Sequence, residues 1–223
     1  MGKSKAHQVY RLKDGTRVPG CTTITGVMDK PVLKVWANKL GLGLITGEPT
    51  ELGKYMDNLA DIGTLAHKMV ENHIGKIMKV EIDEDYSDYN EKQISMAENA
   101  ALKFFSWEKE NKVEYLASEL QMVSEKHRFG GCCDIYALLN GKKTLIDLKT
   151  SKGIFGEMFT QVAGYKMLLE ENGYPVENVK ILRIGRDESE GFDDKSVPLI
   201  ETHQKRFLVC LELYKLNKQL KEV

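Results

Sequence analysis

Apolar residues at Leu59, Ile62, Ala66, Met69, Val70 and Ile74 recur at helical spacing and predict a long amphipathic helix over residues 51–77. A second helical stretch is expected over 87–111. From Val113 the pattern changes: residues 115–123, 131–139 and 143–148 predict three consecutive strands. Residues 157–172 predict a helix stopped by Gly173-Tyr174-Pro175. A fourth strand over 179–184, a short one over 197–199 and an amphipathic closing helix over 203–220 complete the chain. Ahead of these, residues 8–17 predict a hairpin turning at Asp14-Gly15, and 31–40 a short helix with Pro31 in its first turn. Helices, three strands, helix, strand and helix make an α/β class of fold, a mixed sheet with helices on its faces. The expectation is one domain over residues 1–223, in which 1–50 form an N-terminal hairpin-and-helix extension and 51–223 the core.

The charge balance refines this picture only locally. The net charge of −1 does not advertise a polyanionic partner. Residues 1–40, however, hold eight Lys or Arg against two acids, and residues 81–98 hold seven acids against one Lys, so a neutral total can hide a basic face. No apolar run approaches the ~20 residues that span a bilayer. Nor does an apolar signal region follow the N-terminal charges, so no membrane partner and a cytoplasmic location are expected. The four cysteines, at 21, 132, 133 and 210, form no CxxC pair and are expected to be reduced. No phosphate-binding GxxxxGK[ST] loop is present, so no nucleotide is expected.

The chemistry concentrates on two of the strands. Asn140-Gly141 is a strong two-residue hairpin signal. With these two as the loop, Asp134 and Asp147 face each other across neighbouring strands, their Cβ atoms roughly 4.5–5.5 Å apart. Lys149, two residues beyond Asp147, shares that face. Opposed carboxylates destabilise a sheet unless something neutralises them. A divalent cation does so, and hard oxygen donors suit Mg²⁺ or Mn²⁺. The alternative is a surface cluster neutralised by the lysine alone. A three-residue turn would put the two acids on opposite faces.

Four segments carry a family resemblance: Gly63-Thr64-Leu65-Ala66-His67, Gly131-Cys132-Cys133-Asp134, Asp147-Leu148-Lys149-Thr150-Ser151 and Gln161-Val162-Ala163-Gly164-Tyr165. In this order they resemble the PD-(D/E)xK nuclease superfamily, in its RecB-like branch. Val18-Pro19-Gly20-Cys21-Thr22-Thr23-Ile24, with Trp36 beyond, also looks like phage-encoded and mitochondrial exonucleases of that branch. The resemblance implies a restriction-endonuclease-like core with Asp134, Asp147 and Lys149 as catalytic residues. It implies metal ligation by His67, Asp134, Asp147 and the backbone carbonyl of Leu148. Gln161 and Tyr165, together with Thr150 and Ser151, would lie near DNA and the lysine, and Glu71 would support His67 from one turn away. Glu119 on the first strand is a possible further ligand, although solvated strand charge is the preferred reading.

Two departures from the family pattern stand out. Cys133 occupies the place of the proline before the first aspartate. Only Cys210 lies downstream where some relatives gather cluster-binding cysteines, so no iron–sulfur cluster is expected. The expected function is a divalent-metal-dependent DNA exonuclease of recombination, repair or replication, acting on ends or single strands. A structure-specific endonuclease, a non-catalytic DNA-binding module and a zinc hydrolase using His67 and Glu71 are the alternatives. Lysines 30, 34 and 39 around Trp36 are candidates for gripping a strand.

Overall fold

The computed structural model describes residues 8–28 and 49–221. The expected helix over 31–40, and with it Trp36 and lysines 30, 34 and 39, lies outside the described residues. A small hairpin of β1 (Tyr10–Arg11) and β2 (Arg17–Val18) leads into the short helix α1 (Cys21–Thr25). Two long helices follow, α2 (Pro49–Met78) and α3 (Glu91–Glu110). Then come β3 (Val113–Ser124), β4 (Phe129–Leu139), β5 (Lys142–Lys149), α4 (Gly156–Glu171), β6 (Asn178–Ile184), β7 (Phe192–Ser196) and α5 (Ile200–Lys221).

The sheet has the strand order β3-β4-β5-β6-β7, and only β5 and β6 run parallel. That mixed sheet flanked by helices is the α/β architecture expected from the pattern. Helices α2 and α3 cover one face, where Ile62, Leu65, Phe104 and Trp107 pack on Ile135, Ile146 and Leu182. Helices α1, α4 and α5 cover the other, where Ile24, Val162, Leu168 and Phe207 pack on Phe129, Cys133, Leu145 and Ile181. Among the described residues no helix is long and apolar enough to cross a membrane.

Local chemistry sets the element boundaries. α3 starts at Glu91 rather than near 87 because Asn90 and Gln93 form a reciprocal capping box. The turn between β4 and β5 has φ of 51° at Asn140 and 79° at Gly141, the two positive values that a type I′ hairpin needs. The resulting ladder pairs Leu139 with Lys142 and continues to Ile135 with Ile146. One element is displaced from its expected place. The last strand is Phe192–Ser196, not 197–199. Polar residues hold it: Lys180 Nζ lies 2.5 Å from Asp194 Oδ1, and Arg183 Nε donates to Asp193 Oδ2 at 2.5 Å. The Val197 amide makes a last bond to the Val179 carbonyl, and Pro198, with no amide hydrogen, cannot extend the ladder.

The N-terminal hairpin is joined to the core rather than appended to it. The Gly130 amide donates to the Pro19 carbonyl, and Cys21 and Ile24 are buried among α4 and α5 side chains. The Tyr10 side chain lies directly on Gly130. A Cβ there would stand 2.3–2.6 Å from Tyr10 Cγ, Cβ and Cδ1, atoms too near the main chain to swing aside. Gly130→Ala is therefore expected to cost about 1–3 kcal/mol of stability through overpacking, seen as a lower urea midpoint. An unchanged midpoint would show that the hairpin is not tied down at this contact.

Candidate functional site

The regular alternation of side chains fails in β3 at the register shift between Tyr115 and Ala117, and again in β4. On β4, Cys133 packs on the α4 side, whereas Ile135, Ala137 and Leu139 pack on the α2 and α3 side. The change of face falls between Cys133 and Ile135, at Asp134. The neighbouring strand is irregular at the same level. β3 pairs Ser118 with Ile135 and Leu120 with Cys133, and the ladder skips Glu119 opposite Asp134. Glu119 has φ of 49°, a left-handed conformation uncommon for a residue with a side chain. Such breaks re-aim side chains that a regular strand would send elsewhere.

Three side chains from three elements meet here. Donor atoms of His67 on α2, Glu119 on β3 and Asp134 on β4 all lie within 4.8 Å of one another. His67 Nδ1 is 3.8 Å from Asp134 Oδ1, while Asp134 Oδ2 accepts the Leu148 amide hydrogen at 2.7 Å. That bond orients the carboxylate and ties β4 to β5 just past the end of their ladder. Leu148 thus meets the site through its amide. Cys132 Sγ donates to Glu119 Oε2 at 3.4 Å. Glu119, read from sequence as solvated strand charge, is half-buried and belongs to this cluster. The hairpin signal placed Asp134 against Asp147, but β3 joins β4 through Glu125-Lys126-His127-Arg128, which holds no Gly, Pro or Asn to mark its register.

Asp147 and Lys149 form a second, deeper pair. Asp147 is 1% exposed, and its Oδ2 lies 2.7 Å from Lys149 Nζ, off the direction of a proper hydrogen bond. That oxygen is buried without a hydrogen-bond partner. Burial pushes the Asp147 pKa up to about 6; the Lys149 charge opposes this and the Asp134 charge adds to it. For Lys149, burial acts to lower the pKa, but the Asp147 and Asp134 charges outweigh it and hold the ammonium protonated above its ordinary range.

The remaining candidates surround these groups. A Cβ on Gly63 would stand 2.5 Å from Thr150 Oγ1, so this glycine lets α2 press against the chain just after Lys149. Ser151 Oγ donates to the Gly153 carbonyl and shapes the turn into α4. Gln161 Nε2 donates to Tyr165 Oη at 2.7 Å and to Thr22 Oγ1 at 2.9 Å, joining α4 to α1. Burial raises the Tyr165 pKa, with Cys21, Asp147 and Asp134 adding to it, so this phenol stays neutral beside the acids. Glu71 lines a groove with Thr64, Lys68 and Ser118 and is not one of the three converging donors. All four cysteines are free.

The donor set suits a divalent cation. Two carboxylates and an imidazole converge, donors of the kind that hold divalent cations, and beside them Asp147 keeps one oxygen without a hydrogen bond although it is ion-paired with Lys149. No family model matches this chain, and no curated protein matches it in sequence.

The Asp147 shift carries a test. Its folded-state pKa lies above the ordinary 3.8, so the stability this group contributes is complete below that value and is lost as pH rises through about 6. In metal-free buffer, Asp147→Asn should gain stability relative to wild type between pH 4 and 7, measured by urea midpoints. A difference between the two proteins that is independent of pH would contradict the burial effect.

Proposed function

We propose that the protein is a divalent-metal-dependent deoxyribonuclease, of the RecB-like branch of PD-(D/E)xK nucleases that its motifs resemble. The observation that carries this reading is the His67, Glu119 and Asp134 donor cluster beside the buried Asp147–Lys149 pair. A zinc hydrolase would need the three donors but would leave the buried lysine–aspartate pair without a role. A phosphodiesterase uses both.

His67, Glu119 and Asp134 would hold the cation, with Asp147 close by; Mg²⁺ or Mn²⁺ would act there as a Lewis acid on phosphate oxygen and on water. The protein's own groups do the rest. The Leu148 amide fixes the Asp134 carboxylate, so its direction is set before substrate arrives. Lys149, 18% exposed at its side chain, reaches the surface from a buried anchor on Asp147 and presents a fixed positive charge to phosphate. A positive charge positioned in this way stabilises the extra negative charge of the pentacoordinate transition state. Gln161 and Tyr165 brace the α1 and α4 side of the same site. Within this reading an exonuclease is favoured over a structure-specific endonuclease by the motif resemblance alone.

Purified protein incubated with linear and circular DNA should degrade the linear form with Mg²⁺ or Mn²⁺ and neither form with chelator. Cutting of circles would make it an endonuclease. No cutting of either would favour the non-catalytic binding module. Lys149→Ala should lose at least about a hundredfold in rate, and Asp134→Ala and Asp147→Ala should abolish cleavage. A folded variant of any of the three with wild-type cleavage would remove that residue from the mechanism.

His67 provides a separate check. Its side chain is 23% exposed, so His67→Ala should leave the metal-free melting temperature nearly unchanged while raising the Mn²⁺ concentration for half-maximal cleavage. A destabilised variant with an unchanged metal requirement would make His67 a structural residue.

A further inference from the structure

A cleft of about 1110 Å³ lies outside the metal cluster, between the N-terminal hairpin, α1 and the C-terminal half of α5. Its walls include Arg17, Arg128, Lys215 and Lys218 and, among the described residues, no Asp or Glu. In a protein of net charge −1, these four side chains give the cleft lining a positive character. Arg17 is exposed on β2, and Arg128 makes only a long contact, 4.0 Å, to Asp14. Half-buried Tyr10 and Tyr214 line the same cleft among these cations.

The cleft also borders β4, the strand that carries Asp134, through Gly131 on its lining. Tyr165 lines its floor, and the charges of Asp147 and Asp134 act on that phenol. Thr22, on the cleft wall, accepts the hydrogen bond from Gln161. Tyr165 thus belongs to the cleft lining and, through Gln161, to the brace between α4 and α1.

We propose that this cleft is the track along which a single DNA strand runs to or from the carboxylate cluster, with Arg17, Arg128 and Lys215 on its phosphates and Tyr214 stacked on a base. The inference rests on the nuclease reading for its choice of DNA. Cations spaced along a groove match a phosphate backbone, and aromatic rings among them match bases that are free to stack only in a single strand. A duplex keeps its bases stacked inward and would meet the cations without using the rings. An acidic peptide would likewise leave the tyrosines unemployed.

The test is binding without cleavage. A fluorescein-labelled thymidine 20-mer is titrated with the full chain in chelator, at several salt concentrations, and followed by anisotropy. The triple variant Arg17→Gln, Arg128→Gln, Lys215→Gln should weaken binding at least about tenfold and flatten the slope of log affinity against log salt by about 2, at roughly 0.7 for each phosphate no longer neutralised. Tyr214→Ala should weaken it about tenfold, with the salt slope kept. A control with the same change of charge, Lys109→Gln, Lys112→Gln, Lys142→Gln, alters exposed lysines near the Asn140-Gly141 turn and should bind as wild type. Melting curves establish that each variant is folded.

Wild-type affinity in the folded triple variant, equal weakening in the control, or competition by duplex DNA, single-stranded RNA or polyglutamate as strong as by the 20-mer would each overturn the proposal. So would failure of the wild-type chain to bind the 20-mer. The nuclease reading fails separately. If wild type binds through the cleft but cuts no DNA with Mg²⁺ or Mn²⁺, the track stands and catalysis falls. If wild type cuts DNA and the triple variant binds normally, catalysis stands and the track falls.

Discussion

At Glu119 and Asp134 two neighbouring strands break their pairing together, and the side chains of β4 change face there. The whole candidate site depends on that break. In a regular ladder, carboxylates opposed across two strands repel at close range. Here the break turns Glu119 and Asp134 to a position that His67 reaches from α2, where polar donors from three elements meet. The positive φ at Glu119 is the local backbone cost. The Leu148 amide on Asp134 restores part of what the interrupted ladder loses.

Burial of charge next to this break is the second cost. A fully buried carboxylate and a largely buried ammonium contribute little net stability, because desolvation offsets their attraction. An apolar pair at positions 147 and 149 would pack as well. The sheet nevertheless keeps Asp147 with one oxygen unsatisfied and Lys149 held against it. Perturbed, partly unsatisfied charges of this kind cluster at functional sites more than elsewhere. The fold accommodates them between two separate hydrophobic layers, to which Leu148 and Tyr165 belong.

Much of this could be read from the chain. Helices and strands announce themselves through spacing, and Asn140-Gly141 sets the β4–β5 register as far as Ile135 with Ile146, the pair before Asp134 and Asp147. Other features were hidden for physical reasons. Glu119 enters the cluster through a β3–β4 connection without turn residues and through a break in the ladder, and neither has a local sequence signal. The last strand is polar and held by Lys180–Asp194 and Arg183–Asp193 pairs, so hydrophobic patterning favoured the apolar Val197 and Leu199 instead. Helix α1, five residues long, has no periodicity to detect; its role emerges only when Thr22 meets Gln161. Tyr10, Arg17, Arg128 and Lys215 are scattered over the chain, and only the fold assembles them into one cleft.

The central claim is that the break in the sheet builds a divalent-cation site. The most direct test is a crystal of the full chain soaked in Mn²⁺, with anomalous scattering recorded at the manganese edge. The account predicts a peak bounded by the His67 imidazole and the carboxylates of Glu119 and Asp134, absent from crystals of a Glu119→Gln, Asp134→Asn variant. Anomalous maps with no peak among these three side chains, or with the same peak in the variant, would contradict it.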